Sequence, residues 1–149
     1  MAAVKVVIVY ESRTGNTERA ARVIGTQIQK SGHDVSVFPT RGIDLDALSD
    51  ADLLLVGTWT DGLIVAGHRP GGAGNLAKHL PDVWDMPTYS FVTYAVKPGN
   101  VLRGVKRLLE SKGADVRGGL ELGRRHLDSD AMDYAEQVLR DFKPAKATA

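Results

Sequence analysis

The stretch from Val4 to Glu18 constrains this chain more than any other. Val4, Val6, Val7, Ile8 and Val9 form a near-continuous apolar run. A strand with one face in water alternates apolar and polar residues, whereas a central parallel strand covered by helices on both faces need not. The Glu11 to Asn16 loop is polar, and a helical pattern follows at once. From Thr17 to Lys30, Ala20, Val23, Ile24 and Ile28 recur at helical spacing, leaving Arg19, Arg22 and Lys30 for solvent. A buried strand running through such a loop into a helix opens an α/β domain. It also cradles an anion: Ser12, Thr14, Asn16 and Thr17 offer short donors, and Gly15 lets backbone come close. The helix start adds free N–H groups and a dipole. A phosphomonoester fits. Neither the Walker lysine pattern nor the three spaced glycines of dinucleotide folds is present.

The remaining elements follow in alternation. Ser31-Gly32 ends the first helix. Val35, Val37 and Phe38 give a short strand suited to a sheet edge. Pro39 to Gly42 is a turn, and Ile43 to Leu48 has room for about one helical turn, with Asp44 as its cap. Ala51 to Val56, with Leu53, Leu54 and Leu55, is a third strand, placed beside the first. Gly57 to Asn75 reads as one long loop, and long loops in compact domains are often functional. A short helix is expected over Leu76 to Leu80, stopped by Pro81. Tyr89, Phe91, Val92 and Tyr94 to Val96 make strand four. Asn100 is positioned to cap the next helix, whose face is Val101, Val105, Leu108 and Leu109 and whose stop is Gly113. Ala114 to Leu122 is strand five, weakened by Gly118 and Gly119. A basic loop over Gly123 to Asp128 leads to a last helix marked by Ala131, Tyr134, Ala135 and Val138, with Asp128 or Asp130 as its cap. Lys143 to Ala149 reads as a frayed tail.

Helical crossovers between successive strands imply a doubly wound parallel sheet, five-stranded, in one domain with its core over residues 4–142. Ligands bind such sheets beyond the C-terminal strand ends, where strand order reverses. Three loops leave those ends: Glu11 to Asn16, Gly57 to Asn75, and Lys97 to Asn100.

Composition narrows the function classes. There is no cysteine among the 149 residues, which excludes disulfides, thiolate metal ligation and cysteine-held clusters. A net charge of +1 argues against nucleic acid as the main partner. No apolar run is long enough to span a membrane, and Val4 to Tyr10 is too short for a signal segment, so a cytoplasmic protein is expected. The four histidines lack metal-ligand spacing. Arg103, Lys106, Arg107, Lys112, Arg117, Arg124 and Arg125 outnumber the nearby acids Glu110, Asp115 and Glu121. They form either a solvated face with pairs such as Lys106 to Glu110 or a docking surface.

Ser12-Arg13-Thr14-Gly15-Asn16-Thr17 resembles the FMN-phosphate loop of the flavodoxin family, whose pattern is Thr or Ser, any residue, Thr, Gly, any residue, Thr. All four fixed positions match, and strand spacing is similar to a short-chain flavodoxin over residues 4–142. The resemblance implies a sheet in the order 2-1-3-4-5 with helices on both faces, bound FMN and electron transfer. In that picture Ser12, Thr14, Asn16 and Thr17 hold the phosphate, with backbone help from Arg13 and Gly15. Trp59 stacks on the flavin, while Thr58, Thr60, Asp61 and Gly62 bond its pyrimidine edge or ribityl chain. Gly62 also lets a backbone carbonyl turn toward flavin N5. The loop of Tyr94, Ala95, Val96, Lys97 and Gly99 lies along the other side of the ring. Here the chain departs from the family: no aromatic residue follows strand four, and Lys97 stands where a cation near flavin N1 and O2 would raise the potential. Near-neutral charge is a second departure from acidic flavodoxins.

The resemblance implies an electron carrier between an NAD(P)H-dependent reductase and a redox acceptor, with no side chain acting as acid or base, and a monomer or weak dimer. An FMN-dependent NAD(P)H:quinone oxidoreductase is the enzyme alternative, for which His68 and His126 are candidate substrate contacts. A flavin-less interaction module is the non-catalytic one.

Overall fold

The computed structural model describes residues 3–61, 69–70, 73–95 and 99–142. Its strands are β1 (Lys5–Tyr10), β2 (Asp34–Pro39), β3 (Leu53–Asp61), β4 (Arg69–Pro70), β5 (Pro87–Tyr94) and β6 (Asp115–Gly123). Its helices are α1 (Asn16–Lys30), α2 (Leu45–Ser49), α3 (Ala73–His79), α4 (Val101–Ser111) and α5 (Leu127–Asp141). The five long strands are parallel in the order β2-β1-β3-β5-β6, which is the expected 2-1-3-4-5.

The continuous apolar runs sit where burial on both faces demands them. Val7, Val9, Leu54, Val56 and Val92 pack with Leu76, Val101, Val105 and Leu109 from α3 and α4. Val6, Ile8, Leu53, Leu55 and Phe91 pack with Ala20, Ile24 and Ile28 of α1 and with Ala131, Tyr134 and Val138 of α5. β2 is an edge, and its alternating sequence leaves most of its residues half-buried. Asp44 caps α2, its carboxylate accepting the amides of Asp46 at 3.0 Å and Ala47 at 3.2 Å.

Four local expectations are corrected. The long loop expected from Gly57 is shorter, because β3 continues through Asp61 and pairs antiparallel with β4. The short helix expected from Leu76 begins at Ala73. Asn100 occupies the N-cap of α4, but its side chain makes no capping bond. Neither Asp128 nor Asp130 caps α5, which begins at Leu127 behind a short 3-10 turn, Arg124–His126. Asp128 is instead taken by Arg19 of α1, at 2.8 and 2.6 Å. β6 runs unbroken through Gly118 and Gly119, which pair with Tyr89 and Ser90, and its irregularity comes just before them. Thr88 faces Val116 while Tyr89 faces Gly118, so Arg117 is an extra residue at a bulge.

Candidate functional site at the strand ends

β1 delivers the chain to its loop at the point where neighbouring strands diverge to opposite sides. Tyr10 pairs with Pro39 of β2 and with Gly57 of β3. The loop is then tied down on both sides. Glu11 N–H donates to Gly57 O at 2.9 Å. The Thr40 hydroxyl reaches Tyr10 O at 2.9 Å and the Glu11 carboxylate at 2.8 Å. Gly15 N–H donates to Ser12 Oγ at 3.1 Å, so the Ser12 proton stays available to another acceptor.

Gly15 is the N-cap of α1, with φ +97°, a left-handed conformation that side-chain-bearing residues rarely adopt. The first helical bond runs from Arg19 N–H to Gly15 O at 2.9 Å. The amides of Asn16, Thr17 and Glu18 therefore precede the bonded ladder and are the free donors of the helix start. Arg13, Thr14 and Gly15 are exposed, and Ser12 and Asn16 are half-buried. Thr17 differs from its neighbours: it is buried, and its hydroxyl meets that of Thr93 at the end of β5, 2.8 Å away. Its amide remains at the helix start, while its side chain joins α1 to the sheet. A cleft of about 320 Å³ runs beside this loop, lined by Glu11, Ser12, Arg13, Gly15, Thr40 and Arg41.

The next wall is β3. Trp59 pairs with Thr93, which pairs in turn with Leu122. Alternation from Leu53 and Leu55 puts Trp59 on the α1 side of the sheet, with Thr93 and Thr17. Trp59 and Thr60 are half-buried, and Thr58 is fully buried. The Trp59 indole nitrogen and the Thr60 hydroxyl are buried without a hydrogen-bond partner among the described residues. Such groups cost free energy unless something completes them, and a native structure has few. The backbone of Asp61 closes β3 against Arg69.

At β5 the arrangement is different. Alternation from Val92 puts Tyr94 on the α4 side, opposite Trp59. Its phenol covers Gly123, where a Cβ would lie 3.1 Å from the Tyr94 oxygen. Ala95 and Gly99 are exposed. Gly62, His68, Val96 and Lys97 lie outside the described residues.

The structure thus brings together Ser12 to Thr17, Thr58 to Asp61 and Thr93 around adjacent strand ends, with Tyr94 on the other side of the sheet. Thr93 and Thr40 join the site although no motif marks them. β5 also carries Thr88 and Ser90, so the sequence sets no mark on Thr93 that its neighbours lack. Behind the loop, Tyr10 donates to Glu18 at 3.1 Å and Glu18 accepts from Arg22 at 2.9 Å. Burial and the Glu18 carboxylate raise the Tyr10 pKa, while Arg22 and then Tyr10 hold Glu18 below the usual carboxylate range.

Residues 7–67 match the family model described as flavodoxin domain. A flavodoxin from Clostridium beijerinckii is 42% identical over 50 residues, which are 34% of this chain and 36% of that protein. The aligned stretch therefore spans only about a third of that relative's length. Among solved structures, oxidised flavodoxin 2 from Bacillus cereus superposes with a TM-score of 0.71 at 22% identity, over 93% of this chain and 99% of that one. Oxidised flavodoxin 1 from the same organism gives 0.70 at 18% identity, again over 93% and 99%. At such identities the superpositions speak for the fold. The chain thus shares the flavodoxin fold over nearly its whole length, and its residues 7–67 match the flavodoxin-domain model in sequence.

Proposed function

We propose that this chain binds FMN at the strand ends and carries electrons between a reductase and an acceptor. One observation carries the reading. The free amides of Asn16, Thr17 and Glu18 and the Ser12 and Thr14 hydroxyls lie in the loop after β1 and the first turn of α1, and β3, the neighbouring strand, carries Trp59 near its end. Those residues suit the two ends of FMN, an anion and a flat ring with a polar edge.

The amides would hold the phosphate where the dipole of α1 favours negative charge. Arg13, being exposed, adds a screened cation. The Thr17–Thr93 bond fixes the helix start to β5, so the donors are set before any ligand arrives. Trp59 would present an apolar face for stacking and keep water off it. Bound FMN supplies the redox chemistry, and the chain orients and shields it. No side chain is required as acid or base.

The test is uptake, then turnover. The protein as purified should be yellow, release FMN on denaturation, and rebind it far more tightly than riboflavin, which lacks the phosphate. Reduction of the holoprotein by NAD(P)H should need an added reductase. Steady NAD(P)H oxidation by the holoprotein alone, with a quinone present, would make it a reductase instead. A colourless chain that takes up no FMN ends both readings.

A further inference from the structure

Away from the strand ends, another cavity opens between α4 and β6. It measures about 300 Å³ and is lined by Ser90, Leu102, Arg103, Lys106 and the β6 stretch from Val116 to Gly119. Part of that space exists because a side chain is missing. Gly119 pairs with Ser90 of β5, and a Cβ there would lie 2.5 Å from the Ser90 hydroxyl and 3.1 Å from Leu102. Alternation puts Ser90, which pairs with Val56, on the α4 side of the sheet. Ser90 is only 2% exposed, and its carbonyl takes the Tyr134 hydroxyl of α5 at 2.6 Å. Its own hydroxyl makes no hydrogen bond among the described residues and stands at the floor of the cavity. A buried donor left without a partner costs free energy.

Two cations of α4 border the same space. Arg103 and Lys106 are three residues apart and so are neighbours on the helix surface. Both are exposed, and neither has an ion-pair partner among the described residues, so the Lys106 to Glu110 pair that the spacing allows is not made. Arg117 is engaged elsewhere, with Asp115 at 2.9 Å and over the Phe142 ring. Glu110, Asp115 and Glu121 stand against Arg103, Lys106, Arg107 and Arg117 in this region, so no broad basic field exists. None of those three carboxylates lines the cavity, and the positive character belongs to its walls alone.

The geometry points to a binding site for a phosphate group in this cavity, held by the Ser90 hydroxyl, the Arg103 guanidinium and the Lys106 ammonium. The donors come from two elements, one beneath the ligand and two beside it. A phosphate offers three strong acceptor oxygens and a carboxylate two, so the third donor favours phosphate. β6 is an edge strand with unpaired amides, and Gly118 and Gly119 let an anion approach them. Leu102 and Val116 supply an apolar wall for the organic part of a phosphomonoester.

The test is residue-resolved NMR of the purified full chain, titrated with inorganic phosphate in exchange for chloride at constant ionic strength. The Gly118 and Gly119 amides should shift along a saturating curve, and acetate should bind much more weakly. Arg103→Gln/Lys106→Gln should lower the phosphate affinity about tenfold and Ser90→Ala several-fold. Thermal unfolding of the double variant should match the parent, because both side chains are exposed. Phenyl phosphate distinguishes the two sources of the group: tighter binding than inorganic phosphate assigns the site to a monoester, and equal binding assigns it to the free anion. Shifts that do not saturate, acetate binding as tightly as phosphate, or an affinity unchanged in the double variant each overturn the proposal. The FMN reading stands or falls separately, because phosphate at the Ser12 to Thr17 loop moves the Gly15 amide and not those of β6.

Discussion

The ends of β1 and β3 stand side by side, yet their polar groups are treated in opposite ways. At β1 the loop is closed upon itself: Ser12 takes the Gly15 amide, Thr40 takes Glu11, and Thr17 takes Thr93. At β3 the Trp59 nitrogen and the Thr60 hydroxyl are buried and have no hydrogen-bond partner among the described residues. One wall is tied by side-chain hydrogen bonds, and the other holds two covered polar atoms without one among the described residues. On the proposed FMN reading, a loop already tied down lowers the cost of binding the phosphate.

The largest effect should come from the residue that keeps β3 close to β5. A Cβ at Gly57 would lie 2.1 Å from the Phe91 ring, which is fully buried and has nowhere to move. Gly57→Ala should cost about 3 kcal/mol in urea unfolding and displace Trp59 along with the strand end. A cost under about 1 kcal/mol would show the strand ends to be far more yielding than their packing implies.

Next comes the tie between α1 and the sheet. Thr17→Val leaves the Thr93 hydroxyl buried without its partner and should cost about 2 kcal/mol. Thr17→Val with Thr93→Val should cost less than the sum of the singles, because the second change removes the orphan. Additive losses would deny that the pair acts as one unit. Gly15→Ala should cost about 1 kcal/mol from its left-handed backbone alone, since no atom lies within 4 Å of the added Cβ. It should also weaken FMN uptake more than riboflavin uptake, because the strain falls on the anion donors.

The β3 side should answer in reverse. Trp59→Phe removes an N–H with no partner among the described residues, so the apoprotein should lose less than about 1 kcal/mol while FMN affinity falls. A large apoprotein loss would make Trp59 a core residue.

The smallest effect is acid dependence. Arg22 and then Tyr10 depress the Glu18 pKa, and Arg19 depresses that of Asp128. A carboxyl depressed in the folded state stabilises above its unfolded pKa, near 4, and that contribution is lost as pH falls through the lower folded value. Glu18→Gln and Asp128→Asn should therefore differ slightly from the parent at neutral pH and converge with it in strong acid. Both sites are exposed, so salt should blunt the difference.

What the sequence disclosed was what lies close together along it. The apolar run into Ser12 to Thr17 is local chemistry, so the tight loop into α1 and the doubly wound sheet could be read from residues alone. The partner of Thr17 is 76 residues away, and the residue that takes Asp128 out of a capping role is 109 away. No periodicity encodes such pairings. The β4 ribbon was hidden for a related reason: two residues pairing across a connection leave no pattern in a window. Trp59 was visible as a residue type, but its unpartnered nitrogen is a property of everything folded around it.

The bulge at Arg117 has a consequence at the scale of many molecules. An open sheet has two margins, and a flat apolar margin invites another chain to add itself and start a fibril. β6 answers with an extra residue, a cation and two adjacent glycines, which interrupt its ladder between the Thr88 and Tyr89 pairs. β2 ends in a proline, which has no amide hydrogen to offer. Straightening the bulge by deleting Arg117 would trade a local irregularity for a continuous margin, and shelf life at high concentration would register the exchange.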